Sequence, residues 1–222
     1  VGVLYVDVGK MNKPVYFVEN QAGGPNKHDR LSPAMSLLVV VGHVKDGLEL
    51  AREAGLPKSI QHFVEAHHGT TLVEYFYHRA RQQALAGKDG GKELVGKDGA
   101  GAAVAGKPKD GAPTDANEAF MPDEFEYRYP GPKPRTKEVA ILMIADAVES
   151  ATRAMSEPTS SRIDALVRQI ANKRLMDGQF DDCDLTLKDL HTIVESVSRT
   201  VASMYHGRVA YPSSKGTQEK RA

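Results

Sequence analysis

The chain has 222 residues, with 29 lysines plus arginines against 29 aspartates plus glutamates, so no net field draws it to DNA or RNA and any anionic ligand must be held locally. This length is enough to shield a polar site from water inside a single domain spanning 1–222. The one cysteine, Cys183, precludes an internal disulfide and fits a reducing, intracellular compartment. No run reaches the roughly 18 apolar residues of a membrane span, so no membrane contact is expected of this stretch.

The opening residues Val1-Gly2-Val3-Leu4-Tyr5-Val6 are apolar from the first position, which is unusual for a free terminus; the expectation is an N-terminally truncated chain that starts inside a helix. Leu37, Leu38, Val41, Val44 and Leu48 recur at helical spacing, with Ser32-Pro33 ahead of them as an N-cap followed by proline at the first helical position. A second helix is predicted after Pro57, with Ile60, Phe63 and Val64 on one side and Gly69 as its stop signal. Thr71 and Glu74 have the spacing of a capping box, predicting a third helix that bears Leu72, Val73, Tyr75 and Phe76.

From 86 to 118 the composition changes. Eight of the twenty glycines fall there, GKDG occurs at Gly87 and again at Gly96, and aromatics are absent; this reads as a disordered Gly/Lys-rich insertion. It lacks both a preceding strand pattern and a GK[ST] ending, so it is not a phosphate-binding loop. After Tyr129-Pro130-Gly131-Pro132-Lys133-Pro134, a largely apolar and therefore central helix is predicted over 136–155. Two more follow, over 161–176, ended by Asp177-Gly178, and from Thr186, with Asp189 at capping-box spacing, to about His206. Residues 213–222 read as a flexible tail. Nothing reads as a strand, so the predicted class is an all-α helical bundle.

Four places put potential metal ligands where apolar residues belong: Asp7, His43, the pair His67-His68, and Asp146 within Ile144-Ala145-Asp146-Ala147-Val148. Singly, each has an ordinary explanation. His43 by itself reads more readily as a hydrogen-bonded core histidine than as a ligand, the pair as imidazoles favoured in the last turn of a helix, and Asp146 as the start of a solvated stripe with Glu149, Ser150 and Arg153. Together they point to one cation site, because a shared divalent metal removes the cost of burying carboxylate charge. Mixed carboxylate and imidazole donors suit Fe or Mn, and also Zn, Co or Ni, better than Ca or Mg. His28, His62, His78, His191 and His206 read as surface residues.

The string Asp7-Val8-Gly9-Lys10-Met11 resembles the tail of the H-D-x-G-K signature of HD-domain metal-dependent phosphohydrolases. The segments HDRLSPAMS, GHVKDGLELA, EAHHGTTLVEYFY, YRYPGPKPRTKE, ILMIADAVE and DGQFDDCDLTLKDL are similar to one branch of that superfamily, the membrane-anchored seven-transmembrane HD phosphodiesterases that hydrolyse cyclic di-AMP. The resemblance implies an HD-domain bundle at the cytoplasmic face of a bacterial inner membrane, acting on a cyclic dinucleotide with two metals. Asp7 would bridge both metals, His43, His67 and His68 would bind one, Asp146 would help bind the other, and Lys10 would assist catalysis. Arg30, Ser32, Tyr129 and Lys133 would be contacts for the nucleotide. Where the family has a metal-binding histidine before the bridging aspartate, this chain has Val6, and the further family histidine upstream of the signature lies before its first residue. One metal and reduced activity are therefore expected, with a nucleotide-binding sensor or regulator as the alternative.

Overall fold

The structure, a computed structural model, describes residues 1–21, 24–89 and 121–206. The predicted insertion lies outside the described residues from position 90 onward, and the predicted tail lies wholly outside them. The described residues are all-α: six α-helices, α1 (Pro33–Glu53), α2 (Lys58–Ala66), α3 (Glu74–Asp89), α4 (Lys137–Arg153), α5 (Ser160–Met176) and α6 (Leu187–His206), joined by short 3-10 segments. Their only β feature is an isolated bridge between Leu72 and Arg128. They divide into two compact units interleaved in sequence, with α1 contributing to each.

The first unit takes in residues 1–12, 43–71 and the chain from Pro130. Its core is the seam of α4, α5 and α6, where Met143, Ile144, Ile163, Val167 and Leu190 are buried together, each contributing about 1.5–3 kcal/mol relative to exposure. Local signals set the helix ends. Thr136 caps α4 by accepting from Val139 N–H at 3.4 Å, and Thr159 caps α5 by accepting from Arg162 N–H at 3.4 Å. Thr186 and Asp189 form the expected reciprocal box at α6, each accepting the other's backbone N–H at 3.1 Å. On α4, Ile141 departs from the expected central character and is 40% exposed, since one helix presents only part of its circumference to a three-helix seam. At the chain start, Gly2–Leu4 form a short 3-10 turn.

The second unit takes in 13–42 and 72–129, and packs Leu37 of α1 against Phe76 of α3 and Tyr127. Here α3 begins at Glu74, later than the expected capping box at Thr71. Leu72 pairs with Arg128 and Val73 donates to the Tyr127 carbonyl at 2.9 Å, so both are extended and the helix starts after them. His28 is also corrected: it is buried, its Nε2 meets the Tyr16 carbonyl at 2.9 Å, and its ring lies against Tyr16 and Phe76. The carbonyl partner on Nε2 and the two aromatic neighbours hold the ring inside this unit, while its Nδ1 is buried without a hydrogen-bond partner.

Candidate metal centre

All the strongest site residues read from the sequence fall in the first unit. Asp7 sits in the turn before the 3-10 segment Val8–Asn12, and Gly9 lets that turn lie directly on α1. A Cβ at Gly9 would come within 1.9 Å of the His43 carbonyl oxygen and 2.4 Å of the Gly47 amide nitrogen, contacts that backbone atoms cannot relieve. The close approach brings Asp7 Oδ1 to 3.7 Å from His43 Nε2 and 3.9 Å from His67 Nε2. The other carboxylate oxygen, Oδ2, pairs with Lys10 Nζ at 3.0 Å. Asp7 is thereby split between a lysine on one side and imidazoles on the other.

His67 is the C-cap residue of α2, so the imidazole pair follows the last helical turn; the expectation placed it inside that turn. The chain turns away at Gly69, whose φ of 55° is a left-handed conformation that glycine adopts at little cost. His67 Nδ1 lies 2.9 Å from the Val64 carbonyl oxygen, which can only accept, so Nδ1 carries the proton and the Nε2 lone pair is free to bind. That Nε2 lies 3.3 Å from His43 Nε2. Donor atoms of His43, His67 and His68 all lie within 4.8 Å of one another. Across the cluster, His68 Nδ1 is 3.8 Å from Asp146 Oδ2 on α4.

Electrostatics separate this cluster from an ordinary polar surface. Burial, and after it the neighbouring His43, hold His67 down to about 4, while burial followed by His67 depresses His68 well below an ordinary imidazole. Both rings are neutral at pH 7, the form that binds metals. Burial, and then the Asp7 carboxylate, push Asp146 up to about 6, because the site resists a second negative charge unless a cation shares it. Closely approached imidazole lone pairs, a locked tautomer and two carboxylates whose joint ionisation is opposed form a donor set that fits a divalent transition metal.

Of the remaining sequence-predicted residues, Lys133 lies in the first unit and pairs with Asp181 at 3.2 Å. Arg30, Ser32 and Tyr129 lie in the second. Ser32 Oγ there accepts from Met35 N–H at 3.2 Å at the start of α1, Arg30 is exposed, and Tyr129 is half-buried. Val6 is buried, with 5% of its surface exposed. Three groups in the first unit were not singled out from the sequence. The Val64 carbonyl sets the His67 tautomer. His62, read as a surface residue, is engaged on both ring nitrogens, by Glu65 at 3.1 Å and by the Arg135 backbone N–H at 3.1 Å. Gln179 is wholly buried. A backbone carbonyl has no sequence signature, and an isolated Gln or His gives no period to read.

No family model matches the chain. It is 38% identical over 212 residues to the cyclic-di-AMP phosphodiesterase PgpH of Bacillus subtilis (strain 168), covering 96% of this chain and 25% of that protein. The PgpH of Listeria monocytogenes serotype 1/2a (strain 10403S) is 38% identical over 217 residues, at 97% and 25% coverage. The chain thus spans about a quarter of the length of these relatives. Among solved structures it is similar to the L. monocytogenes PgpH HD domain in complex with cyclic-di-AMP, with a TM-score of 0.74 and 36% identity over 92% of this chain and 79% of that one. A second structure of the same HD domain gives a TM-score of 0.72, again at 36% identity.

Proposed function

Because the chain belongs to the HD-domain metal-dependent phosphohydrolases, as a PgpH-type HD domain, we propose that it is the hydrolytic domain of a cyclic-dinucleotide phosphodiesterase, opening cyclic di-AMP to the linear dinucleotide. The observation that carries this reading is the convergence of Asp7, His43, His67, His68 and Asp146, far apart in sequence, on one cluster. Among the described residues no helix is long and apolar enough to cross a membrane. The place proposed for this domain is the cytoplasmic face of a membrane-anchored parent.

In this reading Asp7, His43, His67 and His68 hold one cation, with Fe or Mn the preferred metals. Such a cation supplies positive charge for the phosphoryl oxygens and lowers the pKa of water. Asp7 orients the site through its split carboxylate, and the Val64 carbonyl keeps the His67 lone pair aimed inward. Hydrolysis of one 3′,5′ linkage joins a water oxygen to phosphorus, breaks the bond from phosphorus to O3′ and leaves a proton on O3′. Lys10, already beside Asp7, contributes its ammonium charge to the oxyanion that develops. Arg30, Ser32, Tyr129 and Lys133 are proposed as nucleotide contacts.

Asp7 and Asp146 are the ligands left for a second cation, since buried Val6 offers no lone pair, so that position binds weakly. This supports a second reading, a module that binds the nucleotide and one metal without cleaving. The test is incubation with cyclic di-AMP and Mn or Fe(II), with products separated by chromatography and binding followed by calorimetry. Linear dinucleotide formed by the protein and abolished in His67→Ala supports hydrolysis. Binding of metal and nucleotide without product supports the second reading, and turnover unchanged in His67→Ala sinks the ligand assignment.

A further inference from the structure

The imidazole pair is followed at once by a turn whose next residue, Thr70, is held from a distant part of the chain. Gln179, in the link between α5 and α6, is wholly buried. Its Oε1 accepts from the Thr70 backbone N–H at 2.9 Å, and its Nε2 donates to Thr70 Oγ1 at 2.9 Å and to Asp177 Oδ2 at 2.9 Å. The amide orientation is dictated by chemistry, since a backbone N–H can only donate and a carboxylate can only accept. Gly69 leaves no spare room beside it: a Cβ there would lie 2.4 Å from Gln179 Oε1 and 2.7 Å from Met143 Cε. The Gln179 backbone N–H is itself spent on the Arg174 carbonyl at the end of α5, at 3.0 Å, so the clamp is anchored in the helical core.

We propose that Gln179 is a positioning residue for the metal centre, fixing the Gly69–Thr70 turn and through it the aim of His67 and His68. The inference rests on the reading of those imidazoles as metal ligands and adds the group that orients their backbone. A side chain that only filled space could be replaced by any isostere. The bonding pattern requires an amide, because a carboxylate at this position faces the Asp177 carboxylate and loses the donor to it.

The decisive variant is therefore Gln179→Glu, nearly identical in volume, together with the double change Asp177→Asn and Gln179→Glu, which restores a donor opposite the new acceptor. Calorimetric titration with Mn is expected to show affinity reduced by about 10–100-fold in the single variant, the range found when groups supporting metal ligands are lost, and recovered in the double variant. In the metal-free protein, the single variant is expected to speed hydrogen exchange at the Thr70 amide and shift the His67 and His68 ring nitrogen resonances, and the double variant to reverse both. If the wild-type protein binds no Mn, the metal reading fails, while the exchange and ring resonances still decide whether Gln179 orients the pair. Wild-type affinity and unchanged ring resonances in Gln179→Glu would overturn the proposal. Failure of a folded double variant to recover either would overturn it too.

Discussion

Substituting alanine for Gly9 adds one carbon where the structure has no room for it. The new Cβ would sit 1.9 Å from the His43 carbonyl oxygen, about 1.5 Å inside ordinary van der Waals contact, and a packed interior cannot absorb such an overlap. Backbone lies on both sides, His43 and Gly47 on α1 and the Asp7 turn opposite, so no rotamer change relieves it and the turn must move away from the helix. A displacement on the order of 1 Å is several times the ±0.2 Å or so that a metal–ligand distance tolerates, and the cation sharing proposed for Asp7, His43 and His67 would be lost. The expected result is a loss of Mn binding by calorimetry, with destabilisation of about 1–3 kcal/mol from overpacking, or roughly 2–12 °C in Tm for a domain this size. Gly42→Ala on the same helix is the control: nothing lies within 4 Å of its added Cβ, and it should gain about 0.5–1 kcal/mol from helix propensity. A Gly9→Ala protein that melts and binds Mn like the wild type would refute the claim that this contact places Asp7.

On the proposed ligand assignment, Val6→His in a chain extended upstream of Val1 should raise the metal content measured by elemental analysis from one towards two per chain; a content that does not rise rejects that assignment. His62→Ala removes the acceptor of the exposed Arg135 amide and should cost about 0.5–1.5 kcal/mol, read by denaturant unfolding, whereas a cost within error would show that solvent replaces the ring. Burial lowers the pKa of His28 below 6.5, so the unfolded chain takes up a proton that the folded protein refuses. This histidine's contribution is complete above 6.5 and is lost as pH falls below it. His28→Gln should therefore show a shallower fall in stability between pH 6.5 and 5 than the wild type; parallel curves would contradict the burial of a neutral ring.

Much of the fold is legible in short-range chemistry. The Thr186–Asp189 box and proline at the start of α1 are local devices, and each marks the helix end it predicts, whereas Gly69 turns the chain two residues beyond the C-cap of α2. The capping-box spacing at Thr71 failed because pairing of Leu72 and Val73 with the Tyr127–Arg128 segment outweighed a local preference worth about 1 kcal/mol. His28 misled for a similar reason: a polar stretch of sequence gave no sign that Tyr16 and Phe76 would enclose its ring.

Residue order alone determined the all-α class, the helices and the candidate ligands, since periodicity, capping and charge placed among apolar residues act over a few positions and can be counted along the chain. Only the tertiary structure decided that Asp7 divides its oxygens between Lys10 and two imidazoles, that Val64 fixes the His67 tautomer, and that Gln179 clamps the turn beyond His68. The Lys10 and Val64 contacts each span three residues, but those of Asp7 with His43 and His67 and of Gln179 with Thr70 join atoms tens of residues or more apart, and close packing, which no local pattern encodes, sets all of their distances.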